Sequence, residues 1–357
     1  MADAPFDVVG VGNAIVDVIA QTDETDLARL DLNKGTMTLI DDAQAEWLYS
    51  EMNAGMETSG GSAANTLAGI ASLGGRGAYI GKVRDDQLGD VFSHDIKAVG
   101  VDYPMRPAAE GPPTARCLIF VTPDADRTMQ TYLGVSVMLG PEDIDPETVG
   151  GAQITYLEGY LFDRDEAKEA FVKAAELAHA AGRRVALTLS DPFCVDRHRA
   201  SFQNLVEGHV DIVFANHDEI TSLYETDSFD EAVGKLVGKV DIAAITRGAD
   251  GSVIVTPDEV VEVAAEPVEK VVDTTGAGDL YAAGVLHGLT QGYELAAAGR
   301  IGSSKLAVSR TVASPSSAPW AASRWLLTPS PSQSPCGWAL TWLHDQWPPE
   351  QVKTLGT

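Results

Sequence analysis

The run Asp273-Thr274-Thr275-Gly276-Ala277-Gly278-Asp279, followed at once by the helix-like LYAAGVLHGL, has the make-up of an anion-handling site. Two glycines around one small residue leave backbone N–H groups uncovered where a helix begins. Such a terminus concentrates unpaired donors and positive dipole on an incoming anion. A carboxylate beside that trap repels a phosphate unless it has a task there. Accepting a proton from an attacking hydroxyl fits, which makes Asp279 a candidate general base and the amides of Gly276, Ala277 and Gly278 candidate charge stabilisers in phosphoryl transfer. A Gly-rich turn in which Asp279 merely favours a helix start is the alternative that the motif alone leaves open.

A second glycine cluster, Ser59-Gly60-Gly61-Ser62-Ala63-Ala64-Asn65, leads into TLAGIASLGG. Its small residues suit a helix lying against a sheet, with bare backbone at its start for a ligand to approach. Together with Gly12-Asn13-Ala14-Ile15-Val16-Asp17 and Asn216-His217-Asp218-Glu219, these motifs resemble, in order and spacing, the PfkB or ribokinase-like family of carbohydrate and nucleoside kinases. The resemblance covers roughly residues 6–302, and GNAIVD and TYLEGYLF are most similar to its adenosine kinase branch. It implies an α/β, ribokinase-like three-layer sandwich with a mainly parallel central sheet and a small β-strand lid. It also implies ATP as co-substrate and Mg²⁺, with a monovalent cation as a further candidate.

The resemblance carries roles onto individual positions. Asp17 and Asn65, with the exposed backbone of Gly60 and Gly61, match the set that binds the acceptor's hydroxyls. A diol suits a carboxylate and a carboxamide, since both hydroxyls can donate to Asp17 while Asn65 both donates and accepts. An ordinary turn residue is the alternative for Asp17. Asn216 and Glu219, spaced i and i+3 at a helix start, match the family's NxxE motif, which organises Mg²⁺ and its waters near the phosphates. A solvated helix face is the alternative there. Asn216, Thr246, Arg247, Gly248 and Thr275 fall where the family contacts the nucleotide. Arg127, on a lid-like strand pair, is a candidate for positive charge over the phosphates, and Tyr160 and Phe162 for an aromatic wall. The implied activity is ATP-dependent phosphorylation of a nucleoside hydroxymethyl group, adenosine to AMP, with Asp279 as general base. A free sugar such as ribose or fructose is the alternative acceptor, and a catalytically silent acceptor-binding protein is the alternative class.

Alternating strand and helix signals must position these residues, and they describe a parallel sheet covered by helices. Phe6–Val11 reads as the first strand. Alternation in VDVIAQT and TMTLI, and again in 116–122 and 128–133, predicts lid strands within about 14–40 and 115–133. Core units follow: 78–83, a helix over 87–99, ITYLEG, a helix over 166–181, VALTLS, a helix over 198–206, DIVFAN ending at Asn216, DIAAIT, and the hairpin-like SVIVTPDEVVEVA. In open α/β sheets ligands collect at the carboxyl ends of strands, which places Ser190, Asp191, Asn216 and 246–248 at the site.

Composition narrows the partners. With 52 acidic against 25 basic residues, the chain of 357 residues carries a formal charge of −27, which repels nucleic acid and anionic membrane surfaces. Cys117, Cys194 and Cys336 form no CxxC pair, and the odd count predicts a reducing, cytoplasmic setting. Gly81-Lys82 is followed by Val83 and lacks the leading glycine of a P-loop, while VVGVGNAIVD has Ile15 at the third glycine position of a dinucleotide fingerprint. A composition break is read after Gly302, giving a kinase domain over 1–302 and an aberrant Pro/Ser/Trp-rich tail over 303–357. Five of six tryptophans and seven of 18 prolines fall in that tail, which argues against long helices and reads as either a shifted frame or an interaction tail.

Overall fold

The computed structural model describes residues 4–124, 126–267, 276–311, 327–329 and 338–340. The chain divides into two compact units, residues 1–317 and 318–357. In the second, β15 (Leu327–Pro329) and β16 (Trp338–Leu340) pair antiparallel.

In the first unit, nine strands form one sheet in the order β14-β13-β12-β11-β10-β9-β1-β5-β6. They are β1 (Phe6–Val11), β5 (Gly77–Ile80), β6 (Val101–Asp102), β9 (Ala152–Glu158), β10 (Arg184–Thr188), β11 (Ile212–Asn216), β12 (Ile242–Thr246), β13 (Ser252–Val255) and β14 (Val260–Val263). All pairings from β6 to β12 are parallel, and β13 and β14 close the far edge antiparallel. The parallel strands are apolar along their length because both faces are covered. Val9, Leu157, Leu187 and Val213 face a layer containing Phe171 and Phe202, while Val8, Ile154, Ala186 and Ile212 face Leu67, Phe92 and Val285. The three layers implied by the resemblance follow from this alternation.

Helices α3 (Ser62–Ser72), α4 (Gln87–Ala98), α10 (Ala277–Thr290) and α11 (Leu295–Thr311) cover one face, and α6 (Asp165–Ala180) and α7 (Pro192–Gly208) the other. Shorter helices are α1 (Glu24–Arg29), α2 (Asp42–Glu51), α5 (Pro146–Gly150), α8 (His217–Tyr224) and α9 (Phe229–Leu236). Among the described residues no helix is long and apolar enough to cross a membrane.

A second sheet, ordered β3-β8-β7-β2-β4, is the lid. It contains β2 (Ile15–Gln21), β3 (Met37–Leu39), β4 (Met56–Gly60), β7 (Ala115–Val121) and β8 (Arg127–Tyr132). Four of these were predicted. The fifth, β4, was missed because METSG is short and only partly apolar, and its strand state depends on pairing with β2.

Two expectations need correction. α7 starts at Pro192, six residues before the predicted helix, because Asp191 accepts from Cys194 N at 2.6 Å and Pro192 suits the first helical turn. The domain boundary read at Gly302 falls inside α11, which runs on to Thr311. Gly302 lies where α11 crosses α10 so tightly that a Cβ on Gly284 would sit 2.5 Å from its nitrogen. The Pro-rich stretch that argued against helix begins only later, and most of it lies outside the described residues.

Candidate active site

A cavity of about 860 Å³ opens along the carboxyl ends of the parallel strands, with the lid as one wall. Glu158, Thr188, Asn216 and Thr246, from the ends of β9, β10, β11 and β12, line it together with Asn13, which follows β1. The parallel register brings residues far apart in sequence to one edge.

The start of α10 enters this cavity. Gly276 is its cap residue, at φ +71, a left-handed conformation that a side chain disfavours. A Cβ on Gly278 would meet nothing within 4 Å, so this turn is bare toward the cavity. Asp279 follows in the first turn. Its Oδ1 accepts from Ser62 Oγ at 2.6 Å and its Oδ2 from Asn65 Nδ2 at 3.2 Å, both donors coming from α3. Burial pushes the Asp279 carboxyl up to about 6, while these two donors pull it down. Thr275 lies outside the described residues.

Asp17 sits on β2, on the lid's inner face. A Cβ on Gly60 would lie 2.5 Å from its carboxylate, so the second glycine cluster is shaped partly by this contact. Gly61, at φ +98, lies so close to Asn13 that a Cβ on it would meet Asn13 O at 2.4 Å, which brings the start of α3 against the segment after β1. Burial raises the Asp17 carboxyl to about 7, the Arg127 guanidinium opposes that rise and the Asp279 charge adds to it. Arg127 thus places its positive charge near Asp17. Asn65, implied as an acceptor ligand, lines the cavity and also donates from its amide to Asp279. Asp17, Gly61, Asn65 and 276–279 all line the one cavity, with Gly60 immediately beside it.

The Asn216–Glu219 pair has a role that sequence reasoning missed. Asn216 Oδ1 accepts from Glu219 N at 2.9 Å, and Glu219 Oε2 accepts from Asn216 N at 3.0 Å, a reciprocal capping box at the start of α8. Asn216 Nδ2 also donates to Glu219 Oε1 at 2.6 Å. The N-x-x-E spacing carried that signal. Glu219 is 5% exposed, and burial lifts its carboxyl to about 7. A divalent cation prefers hard oxygen ligands in number. Among the described residues no three acidic, His or Cys side chains are grouped to chelate one. Asn216 and Glu219 both line the cavity and offer oxygens to it, a set too small to chelate a cation on its own.

Thr246, Arg247 and Gly248 also line the cavity, and Arg247 lies over the Phe229 ring at 5.7 Å. Tyr160 lines the cavity, its ring hydroxyl donating to Ser190 O. Phe162 does not: it stacks on Phe202 at 4.6 Å inside the core, so only one of the two aromatics offered as a wall is available. Sequence reasoning also missed Glu158, which is 1% exposed and accepts from Asn13 and Ala63. Burial raises its carboxyl to about 7. In Leu157-Glu158-Gly159 nothing but the break in an apolar run marked it.

These raised carboxyls give a stability prediction. Asp17, Glu158 and Asp279 bind protons in the folded chain at pH values where the unfolded chain, with carboxyls near 4, has lost them. The folded state then holds more protons, so stability rises as pH falls from about 7 toward 5. A thermal unfolding midpoint that increases over that window without nucleotide is the expected result; a steady fall would contradict the burial of these groups.

The chain's pattern matches that of the pfkB family carbohydrate kinases over residues 36–321, which carries the likeness past Gly302. It is 50% identical to an adenosine kinase from Sinorhizobium meliloti, with a TM-score of 0.81 over 89% of this chain and 98% of that one. It is likewise 50% identical to a probable sugar kinase from Rhizobium etli CFN 42, with a TM-score of 0.81 over 87% and 95%. Among curated proteins, a 5-dehydro-2-deoxygluconokinase from Shouchella clausii is 29% identical over 258 residues, 70% of this chain and 79% of that protein. The fold is thus shared with these kinases, and the chain belongs to the pfkB family of carbohydrate kinases, as an ATP-dependent phosphotransferase acting on an alcohol group.

Proposed function

We propose that this kinase phosphorylates the hydroxymethyl group of a nucleoside, with adenosine to AMP as its reaction and Asp279 as general base. The observation that carries the acceptor class is the lid's inner face. Ile15, Met37, Leu39, Cys117, Ile119 and Met129 line the cavity around Asp17, so the polar hydroxyl-binding group sits in an apolar wall. A ribose diol satisfies Asp17, and a planar base covers the apolar residues that a free sugar leaves exposed to water.

The chemistry then follows from the chain's own residues. Asp279 takes the proton of the hydroxymethyl oxygen as that oxygen attacks the terminal phosphorus of ATP and ADP departs. Ser62 and Asn65 orient the carboxylate. The amides of Gly276, Ala277 and Gly278 hold the charge on the transferring group, in a site where closure of the lid removes water. Thr246, Gly248 and Thr275 hold the nucleotide. Asn216 and Glu219 would hold, through water, a Mg²⁺ arriving with ATP, which would supply neutralisation of phosphate charge. The buried thiols of Cys117 and Cys194 suit a reducing compartment such as the cytoplasm.

A free sugar is the second reading, favoured by the 5-dehydro-2-deoxygluconokinase relative. Initial rates with ATP and Mg²⁺ separate the two. Burying an aromatic group contributes about 2–3 kcal/mol, so kcat/KM for adenosine should exceed that for ribose or fructose by about 100-fold. A sugar used as well as adenosine would overturn the nucleoside assignment.

A further inference from the structure

Helix α3 begins without a cap of its own: Gly61 precedes it and no local side chain accepts from its first amides. The acceptor comes from another element. Glu158 Oε2, at the end of β9, accepts from Ala63 N at 2.8 Å, and its Oε1 accepts from Asn13 Nδ2 at 3.0 Å and Asn13 N at 3.3 Å. Asn13 Oδ1 in turn accepts from Ser136 Oγ at 2.8 Å, just beyond the last lid strand. One buried carboxylate therefore ties the segment between β1 and β2, the start of α3 and, through Asn13, the turn after β8. Space around it is tight, since a Cβ on Gly12 would lie 2.3 Å from Glu158 Oε2. The residue beside Ala63 is Ser62, the donor to Asp279.

We propose that Glu158 is a positioning residue for phosphoryl transfer, capping α3 from outside so that Ser62 holds Asp279 in its reactive orientation. The inference rests on the reading of Asp279 as general base. All three groups that meet Glu158 are N–H donors, so only a carboxylate satisfies them together, and the positive end of α3 favours its charge. An amide at 158 turns a donor toward one of these donors and drops the charge. The first turn of α3 then shifts, and a displacement of about 1 Å between catalytic groups lowers rate by about 100-fold.

The test is a double-mutant cycle with Glu158→Gln and Ser62→Ala, with Asp279→Asn measured in parallel. Expected results are a 10- to 100-fold loss of kcat in Glu158→Gln with acceptor and ATP KM changed less than about threefold, and a double variant no slower than Glu158→Gln alone within about threefold. Ser62→Ala should also move the acid limb of kcat to higher pH, because Asp279 loses a donor that favours its charge beside Asp17, Glu158, Tyr156 and Tyr160. If Glu158→Gln does not fold, Glu158→Asp keeps the charge one methylene short and should give the same non-additivity with a smaller loss. Losses that multiply in the double variant overturn the proposal, as does a raised acceptor KM at unchanged kcat. An active Asp279→Asn enzyme removes the general-base reading itself; an inactive one with a multiplicative cycle removes only the role of Glu158.

Discussion

Asp279→Asn should lower kcat by about 10²–10⁴, equivalent to about 3–5 kcal/mol of barrier, while leaving acceptor binding nearly intact. Asparagine matches the size of aspartate but has no basic oxygen of comparable proton affinity. The local bonds sharpen the expectation. Both partners of Asp279, Ser62 Oγ and Asn65 Nδ2, are donors in the structure, but a hydroxyl also accepts, so the new amide can accept from Asn65 Nδ2 and donate to Ser62 Oγ. Both contacts survive, in reversed sense at Ser62, so folding should survive. Steady-state turnover and calorimetric titration of adenosine check the two halves separately. Turnover within a few-fold of the unsubstituted enzyme would remove Asp279 from proton transfer.

Asp17→Ala should weaken acceptor binding by about 10²- to 10⁴-fold and spare ATP. Each hydroxyl bond to the charged carboxylate is worth about 1.5–3 kcal/mol, and two are lost together. The raised carboxyl adds a pH signature. Below about 7 the empty site holds Asp17 protonated, so an acceptor that donates two bonds must displace that proton, and affinity should climb as pH rises from 6 to 8. The alanine variant should lose both the affinity and the slope. Calorimetry in two buffers of different ionisation enthalpy measures the proton released. An Asp17→Ala protein that binds adenosine normally but ATP poorly would move this residue to the opposite side of the cleft.

How far the sequence led can be judged from particular residues. The parallel core was legible because strands covered on both faces are written as unbroken apolar runs, and DIVFAN and DIAAIT could scarcely be anything else. The lid was legible from alternation, except β4, whose five residues become a strand only by pairing with Ile15–Ile19. At the site, Asp279 and Gly276 stood out because a carboxylate sits beside bare glycine backbone at a helix start, whereas Asp17 was marked by the resemblance alone, its own surroundings allowing an ordinary turn residue. Glu158 was invisible, since its meaning arises from Asn13 and Ala63, 145 and 95 positions away. The bond from Asn65 to Asp279 was not legible, because it depends on how α3 meets α10. The composition break read after Gly302 did not mark the end of a helix, since α11 runs on to Thr311 and the missing side chain of Gly302 admits the backbone of α10.

The central claim is phosphoryl transfer from ATP to a nucleoside hydroxymethyl oxygen by this chain, its 303–357 segment included. ³¹P NMR of the full-length protein mixed with Mg²⁺, ATP and adenosine follows the transferred group directly. The expected result is ADP and a 5′-monophosphate ester rising together in equal amounts, with no inorganic phosphate beyond the level seen without adenosine. A spectrum in which ATP persists while adenosine is shown to bind would contradict the claim and identify an acceptor-binding protein without transfer.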